Sequence, residues 1–174
     1  MRTEIIINLN EKNSIAKARR RLHAYKRRIY NKTSLLAQRL TDYGAEIAQI
    51  KIVSLGAYYS GELLSGVSGY FSPSLQAGFV KVSSDHAAFV EFGTGVVGMA
   101  NPHQNGEYLS KAAWDYASGK EIFFTGDGRI GWNYPTDDGE FRFTEGMPSR
   151  PFMYETALEL ERGFSRMAKE VFST

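Results

Sequence analysis

The chain has 174 residues and a mass of 19.5 kDa, a size that predicts one domain over residues 1–174 with a single core. Hydrophobic residues make up 43% of it and cysteine is absent, which excludes wholesale disorder, disulfide scaffolds, thiol catalysis and cysteine-ligated zinc. No apolar run approaches the roughly 18 residues of a membrane span, so we expect a soluble protein without membrane contact.

Charge is distributed unevenly along the chain. Residues 1–55 contain 12 Lys or Arg and 4 Asp or Glu, whereas residues 56–174 contain 9 and 15, so the net +2 is the sum of +8 and −6. A basic density of this kind belongs either to a solvated helix face or to a surface that meets an anionic partner. Seven of the basic residues lie close together, at Lys17, Arg19, Arg20, Arg21, Lys26, Arg27 and Arg28.

The first third of the chain predicts a short strand and then a long amphipathic helix. Residues 4–10 are a short apolar run ended by polar residues, which is typical of a strand. Apolar residues then recur at spacings of three and four, first from Ile15 to Ile29 and again from Leu36 to Ile50. This periodicity predicts helix over about 12–54, either continuous, bent or divided in two, with Ser14 as the N-cap.

From Gly56 onward, glycine, serine, β-branched and aromatic residues predict strands and turns. We expect Glu62–Phe71 to pair with Ala77–Ser83 across a Ser-Pro-Ser turn, and His86–Phe92 to follow as a third strand. The breaker-rich stretch Thr94–Gly106 is predicted to be a loop. Together these segments indicate an antiparallel sheet.

The remaining third predicts a short helix at Glu107–Ala117 and a hairpin formed by Glu121–Thr125 and Arg129–Tyr134. Phe141 and Phe143 alternate beyond it, and a helix starts near Ser149 or Pro151. The fold class is therefore α+β, with a long N-terminal helix and a C-terminal helix packed on a mostly antiparallel sheet that carries a long inserted loop and hairpin region.

Two segments have the spacing G-x-G-x-x-G, at Gly93–Gly98 and Gly126–Gly131. A dinucleotide site needs such a loop to follow a strand and open a helix, and we expect neither segment to do both. The favoured interpretation is that these glycines provide positive backbone angles in turns.

Other sequence patterns favour no catalytic, metal or cofactor site. His23, His86 and His103 are far apart and follow no metal-binding pattern, so a surface position or a satisfied interior position is expected for each. Asp137–Glu140 lacks the ligand spacing of a calcium loop and predicts a turn. We expect no catalytic residue, no metal, no cofactor and no enzymatic activity.

Two segments together resemble the tail-component family of long-tailed bacteriophages and prophages, whose members join heads to tails or complete tails. The first is His86–Gly95, HAAFVEFGTG, and the second is Gly146–Met153, GMPSRPFM, at the start of the last helix. Gly61 and Leu63 also match a family position, although Ser60 stands where Thr is usual. The resemblance spans about residues 35–172 and leaves out the basic N-terminal strand and helix predicted within residues 1–30.

The resemblance implies a structural virion protein of a siphophage or prophage neck, present in the virion and in the host cytoplasm during assembly. It implies a homo-oligomeric ring, with a hexamer as one arrangement, between head connector or neck proteins and tail tube or terminator proteins. Transient, non-specific contact with double-stranded DNA is compatible with this role. The candidate subunit or partner interface comprises Glu91, Phe92, Gly93, Thr94, Gly95, Arg150, Pro151 and Phe152.

The motif residues also have an interpretation from physical chemistry alone. In a strand, Val90 and Phe92 would face one side of the sheet while Glu91 faces the other, either as a solvated edge charge or as an ion-pair partner of Arg150. Phe152 would anchor the last helix to the core. The alternative function is a nucleic-acid-binding module that uses the basic helix at residues 17–28.

Overall fold

The computed structural model describes residues 4–8, 11–57, 61–117, 120–136 and 138–173, and its architecture is α+β, as the sequence predicts. The described residues contain six helices and six short strands. In chain order they are α1 (Ser14–Ser54), α2 (Glu62–Ser65), β1 (Val67–Ser72), β2 (Ala77–Val82), α3 (Ala87–Phe92), α4 (Gly95–Ala100), α5 (Gly106–Ala112), β3 (Phe123–Phe124), β4 (Ile130–Pro135), β5 (Phe141–Thr144), β6 (Gly146–Met147) and α6 (Phe152–Ser173).

Two helices form the frame of the molecule. The 41 residues of α1 make a helix about 60 Å long, and the 22 residues of α6 pack along its C-terminal half. Lys51 Nζ lies 2.7 Å from Glu155 Oε2 near the start of α6, and Lys32 Nζ lies 2.8 Å from Val171 O near its end, so the helices run antiparallel. In the part of the chain that the structure describes, no helix is long and apolar enough to cross a membrane.

The hairpin of β1 and β2 packs on α1. Its antiparallel register runs from Val67 opposite Val82 to Ser72 opposite Ala77. The backbone approaches the helix closely at Gly78, where a Cβ would lie 1.7 Å from Thr41 Oγ1. The core gathers where this hairpin, α1, α3 and α6 meet, and its buried members are Ala48, Ile52, Ala57, Leu63, Val67, Val90 and Phe152.

A second antiparallel sheet, ordered β3-β4-β5, is separate from the first. The hairpin predicted at Glu121–Tyr134 is confirmed, since Phe123 lies opposite Gly131 and Phe124 opposite Ile130. Phe143, predicted to alternate beyond it, lies in β5 opposite Asn133. The strands therefore form two small sheets instead of one.

Two predictions near the N-terminus are wrong. Residues 4–8 adopt no strand, and residues 9 and 10 lie outside the described part of the chain. The first turns of α1 instead bond to this segment, because the Asn8 N–H donates to Ser14 Oγ at 2.7 Å. Ser14 is thus the first helical residue, and the N-cap position belongs to Asn13. A short apolar run without a neighbouring strand has no partner for its backbone groups, so sheet does not form.

The middle of the chain is more helical than its sequence predicts. The expected strand His86–Phe92 is helix α3, the expected loop Thr94–Gly106 contains α4, and the first residues of the expected strand Glu62–Phe71 form α2. Six-residue apolar segments do not separate helix from strand by periodicity, and tertiary contacts decided here. Ser60, the departure from the family pattern, lies outside the described residues.

Replacing Gly78 with alanine should destabilise the protein by about 1–3 kcal/mol, because the new methyl would overlap Thr41 Oγ1 and lie 3.0 Å from Ala37 O. Urea unfolding followed by circular dichroism measures the change. Gly126→Ala is the matched control, since nothing lies within 4 Å of its added Cβ. Equal stability of the two variants would contradict the close packing of the hairpin on α1.

Candidate functional site

The two segments that carry the family resemblance lie against each other. Thr94 pairs with Met147 and Gly95 with Gly146 in antiparallel bridges, although about fifty residues separate them in sequence. The Met147 N–H donates to Thr94 Oγ1 at 3.2 Å. We call this contact between residues 90–95 and 146–154 the motif junction.

Glycines let the two backbones of the motif junction touch. Gly95 and Gly146 have φ values of +62° and +100°, in the region that disfavours residues with a side chain. A Cβ at Gly146 would lie 2.0 Å from Thr94 O, and one at Gly95 would lie 2.3 Å from Glu145 O. Larger residues at either position would therefore push the segments apart.

Glu91 holds the beginning of α6. Its carboxylate is buried and accepts hydrogen bonds from the Met153 N–H at 2.9 Å and from the Tyr154 N–H at 3.0 Å. These are two of the backbone donors that the first turn of a helix leaves unpaired, and the negative charge also suits the positive end of the helix dipole. Arg150 contributes its backbone N–H, which donates to Val90 O at 2.8 Å.

Both interpretations of Glu91 from the sequence are therefore wrong. It is neither a solvated edge charge nor the ion-pair partner of Arg150, because α3 is a helix and turns the carboxylate toward α6. In a strand, the Glu91 side chain would stand perpendicular to the sheet on the face opposite Val90. In the helical turn, the Glu91 carboxylate reaches α6 while Val90 enters the core.

His103 lies beside the motif junction, next to Glu91, and its side chain is buried. Its Nδ1 lies 3.0 Å from the Asn105 N–H nitrogen and 3.3 Å from the Asn105 O; the shorter contact makes Nδ1 an acceptor and assigns a ring proton to Nε2. Nε2 lies 3.3 Å from Glu91 Oε1 and donates to it. Of the two outcomes that the sequence left open for histidine, His103 adopts the satisfied interior one, while His23 and His86 are exposed.

Aromatic rings enclose this polar pair. The rings of Phe92 and Tyr154 lie 5.3 and 5.2 Å from the His103 ring, centroid to centroid. Trp114 lies 5.1 Å from Phe92 and donates its indole N–H to Gly93 O at 2.9 Å. Every polar side-chain atom of the Glu91–His103 pair has a hydrogen-bond partner. The pair therefore helps to position α3, α5 and α6 relative to one another.

The candidate interface residues are mostly internal. Glu91, Gly93, Thr94, Gly95, Pro151 and Phe152 are buried, whereas Phe92 and Arg150 are half-buried. In this conformation the set shapes the junction from within, and a partner would meet the surface around it. Sequence analysis assigned no role to Trp114 and Asn105 and did not connect His103 with Glu91, because all three lie outside both motifs and no spacing pattern relates them to Glu91.

The seven basic residues are brought together on an exposed stretch of α1. The turn between β1 and β2 reaches Tyr30, whose hydroxyl donates to Pro73 O at 3.3 Å, and α6 ends near Lys32. Beyond them, α1 continues for about 24 Å toward Ser14. We call residues 14–28 the arm. Its basic residues are all exposed, namely Lys17, which pairs with Glu11, and Arg19, Arg20, Arg21, Lys26, Arg27 and Arg28.

The first G-x-G-x-x-G segment, Gly93–Gly98, belongs to the motif junction. Helix α4 begins at Gly95, which differs from the predicted loop, but it has six residues and follows a helix. A dinucleotide-binding turn follows a strand instead. Gly93 and Gly95 take positive φ as predicted, whereas Gly98 is needed for space, since a Cβ there would lie 2.9 Å from the Gly93 carbonyl carbon.

Two similar turns connect the strands of the second sheet. In each, a threonine hydroxyl donates to an aspartate two residues later, and the following glycine takes a φ of +85° or +80°. The hydrogen bonds from Thr125 and Thr136 lower the pKa of Asp127 and Asp138 below the ordinary aspartate value. The turns predicted from these sequences are confirmed, although Asp137 lies outside the described residues.

Comparison of the chain with protein-family models, curated proteins and solved structures found no match. Among the described residues, no three His, Asp or Glu side chains are grouped so that they could hold a metal ion. Three features therefore bear on function, namely the motif junction, the arm and the resemblance of two short segments.

Replacing Glu91 with alanine should destabilise the protein by about 2–4 kcal/mol, because the Met153 and Tyr154 N–H groups and His103 Nε2 would all lose their acceptor. Urea unfolding measures this loss. Glu161→Ala removes an exposed carboxylate from α6, the helix that Glu91 caps, and should change stability by less than about 0.5 kcal/mol. A small effect at Glu91 would mean that its carboxylate does not hold α6.

Proposed function

We propose that the protein is a structural subunit of a siphophage or prophage neck, which completes the tail or joins it to the head. The observation that carries the proposal is the motif junction. It joins the two segments that resemble the phage tail-component family, 86–95 and 146–153, through backbone bridges and hydrogen bonds. A shared constraint of this kind gives a physical reason for the two short motifs to occur in one chain.

The surface of the molecule also suits an assembly protein. Large apolar side chains are exposed on the second sheet, with Phe124 and Phe141 accessible to 75% and 72%. Exposed aromatic side chains are typical of surfaces that bind other proteins. We propose contacts with further copies in a homo-oligomeric ring, and with connector or tail-tube proteins on its two sides.

Deleting the gene in the strain that encodes it should yield DNA-filled heads and separate tails in place of joined particles. The reason is that a neck subunit is required only after both parts are complete. Electron microscopy of the induced lysate counts joined and separate structures, and plaque assays measure infectivity.

Supplying the wild-type gene, or Glu161→Ala as a matched surface variant, should restore joined particles. Normal numbers of joined, infectious particles without the gene would contradict the proposed function.

A second candidate function is nucleic-acid binding, and the exposure of all seven basic residues on the arm favours it. Lysine and arginine that meet phosphates release counterions, so such binding weakens steeply with salt. A ring through which the genome passes would require contact of this kind to be weak and independent of sequence.

We expect weak binding to duplex DNA that disappears as salt rises, and that falls by about tenfold or more when Arg19, Arg20 and Arg21 become Glu. Fluorescence anisotropy across a salt series measures it. The matched control reverses three exposed charges of α6, Arg162, Arg166 and Lys169, and should bind as the parent does. Tight, sequence-specific binding by a monomer would favour the second candidate over the neck role.

A further inference from the structure

An apolar stripe of α1 is covered over only part of its length. In the body, Leu36 is buried and Tyr43 is half-buried where α6 packs along α1. The same three-and-four spacing continues into the arm beyond the end of α6. There Leu22 and Tyr25 are exposed to 55% and 42%. A stripe with this periodicity is typical of a helix face that packs against another surface.

The charges beside the stripe exclude one arm as the partner of another. Arg19 and Lys26 flank the stripe on one side, and Arg21 and Arg28 flank it on the other. Two arms packed along their stripes would therefore place like charges against each other, which is unfavourable. DNA would meet the charges but would leave Leu22 and Tyr25 exposed, so the arm requires a surface that is both apolar and acidic.

The opposite end of α1 carries such a surface. Ile50 and Val53 are exposed to 51% and 58% and line a shallow groove together with Leu64 of α2. Glu46 and Asp42 lie one and two turns before Ile50 on the same side of the helix, and both are exposed. Within the described residues neither carboxylate takes part in an ion pair. We call these residues the acidic face.

The aromatic second sheet fits the arm less well. Two of its acidic groups already have basic partners, since Asp127 lies 2.8 Å from Arg129 Nε and Asp138 lies 3.6 Å from Arg142 NH2. Basic residues of an arm would gain less from paired carboxylates than from the unpaired ones of the acidic face.

We propose that the arm of one copy packs on the acidic face of a second copy, with Leu22 and Tyr25 against Ile50 and Val53. This rests on the proposed function for the existence of a homo-oligomer and adds which surfaces join its subunits. The two surfaces differ, so the interface is heterologous, and repeating it generates a closed ring when the rotation between neighbours closes. The basic residues of the arm then meet the carboxylates of Asp42 and Glu46 on the neighbouring copy.

Disulfide trapping tests this interface directly, because the chain has no cysteine of its own. The double variant Leu22→Cys, Val53→Cys should give a ladder of covalent dimers, trimers and larger species on oxidation. Within one chain these positions are about 46 Å apart along a helix, far beyond the roughly 7 Å between Cα atoms that a disulfide spans. Ala24→Cys with Val53→Cys is the matched control, since Ala24 is exposed on the opposite side of the arm.

Charge reversal gives an independent test in solution. Arg19→Glu with Arg21→Glu, and separately Asp42→Lys with Glu46→Lys, should each weaken self-association by about tenfold or more in sedimentation velocity. An equal mixture of the two variants should recover the association, because the reversed arm of one then meets the reversed face of the other.

The outcomes separate the interface from the proposed function. A ladder from the Leu22–Val53 pair alone, with recovery in the mixture, supports the interface. A wild-type protein that assembles while both tests fail overturns the interface and leaves the neck role standing. Covalent dimers from Leu22→Cys alone would indicate arm-to-arm packing and overturn it, as would a protein that stays monomeric with no ladder at any concentration. Failure of the neck role itself is detected separately, by joined particles in the gene deletion.

Discussion

The buried carboxylate of Glu91 is the interaction on which the central part of the structure depends. It provides acceptors for two N–H groups at the start of α6 and for the ring proton of His103, so three segments distant in sequence meet at one side chain. A buried charge is costly unless it is fully hydrogen-bonded, and here the helix terminus supplies both the donors and a favourable dipole. The position of α6, and with it the cover of α1, follows from this contact.

Two glycines at the motif junction are required in addition to the Glu91 carboxylate. The two motif segments can bring their backbones together only because Gly95 and Gly146 have no side chains and adopt positive φ. A pattern that resembles a dinucleotide loop in sequence is therefore a packing device in three dimensions. Most of the residues that suggested an exposed interface are inside the molecule, and large exposed apolar side chains lie elsewhere, on the arm and on the second sheet.

The long helix α1 contributes both to the packed body of the molecule and to the exposed arm. Its C-terminal half is a structural element, covered by α6 and by the first hairpin. Its N-terminal end extends past both and keeps the same amphipathic pattern, with Ala18 buried but Leu22 and Tyr25 exposed. Exposed apolar residues between basic ones are unfavourable in water unless another surface covers them, which is why an assembly role fits this helix better than an isolated globular one.

Elements with a long or strongly marked pattern could be predicted from the sequence. The periodicity of α1 and α6 spans many turns, and the hairpins have turn residues whose backbone preferences are local. The strand predicted at residues 86–92 is wrong because seven residues fit both periods, and tertiary contacts such as that of Glu91 with α6 favour the helix. The importance of His103 was hidden for a similar reason, since the residues that it contacts are distant in sequence.

By itself the sequence determined the α+β class, the amphipathic frame helices, the turns, and a basic first third followed by an acidic remainder, because each depends on local periodicity or composition. Only the tertiary structure decided that Glu91 is a buried cap, that glycines allow the two motifs to touch, and that α6 ends near Lys32 and does not extend along the arm. Those outcomes depend on which distant groups meet, and hydrogen-bond satisfaction and steric fit between them select one arrangement.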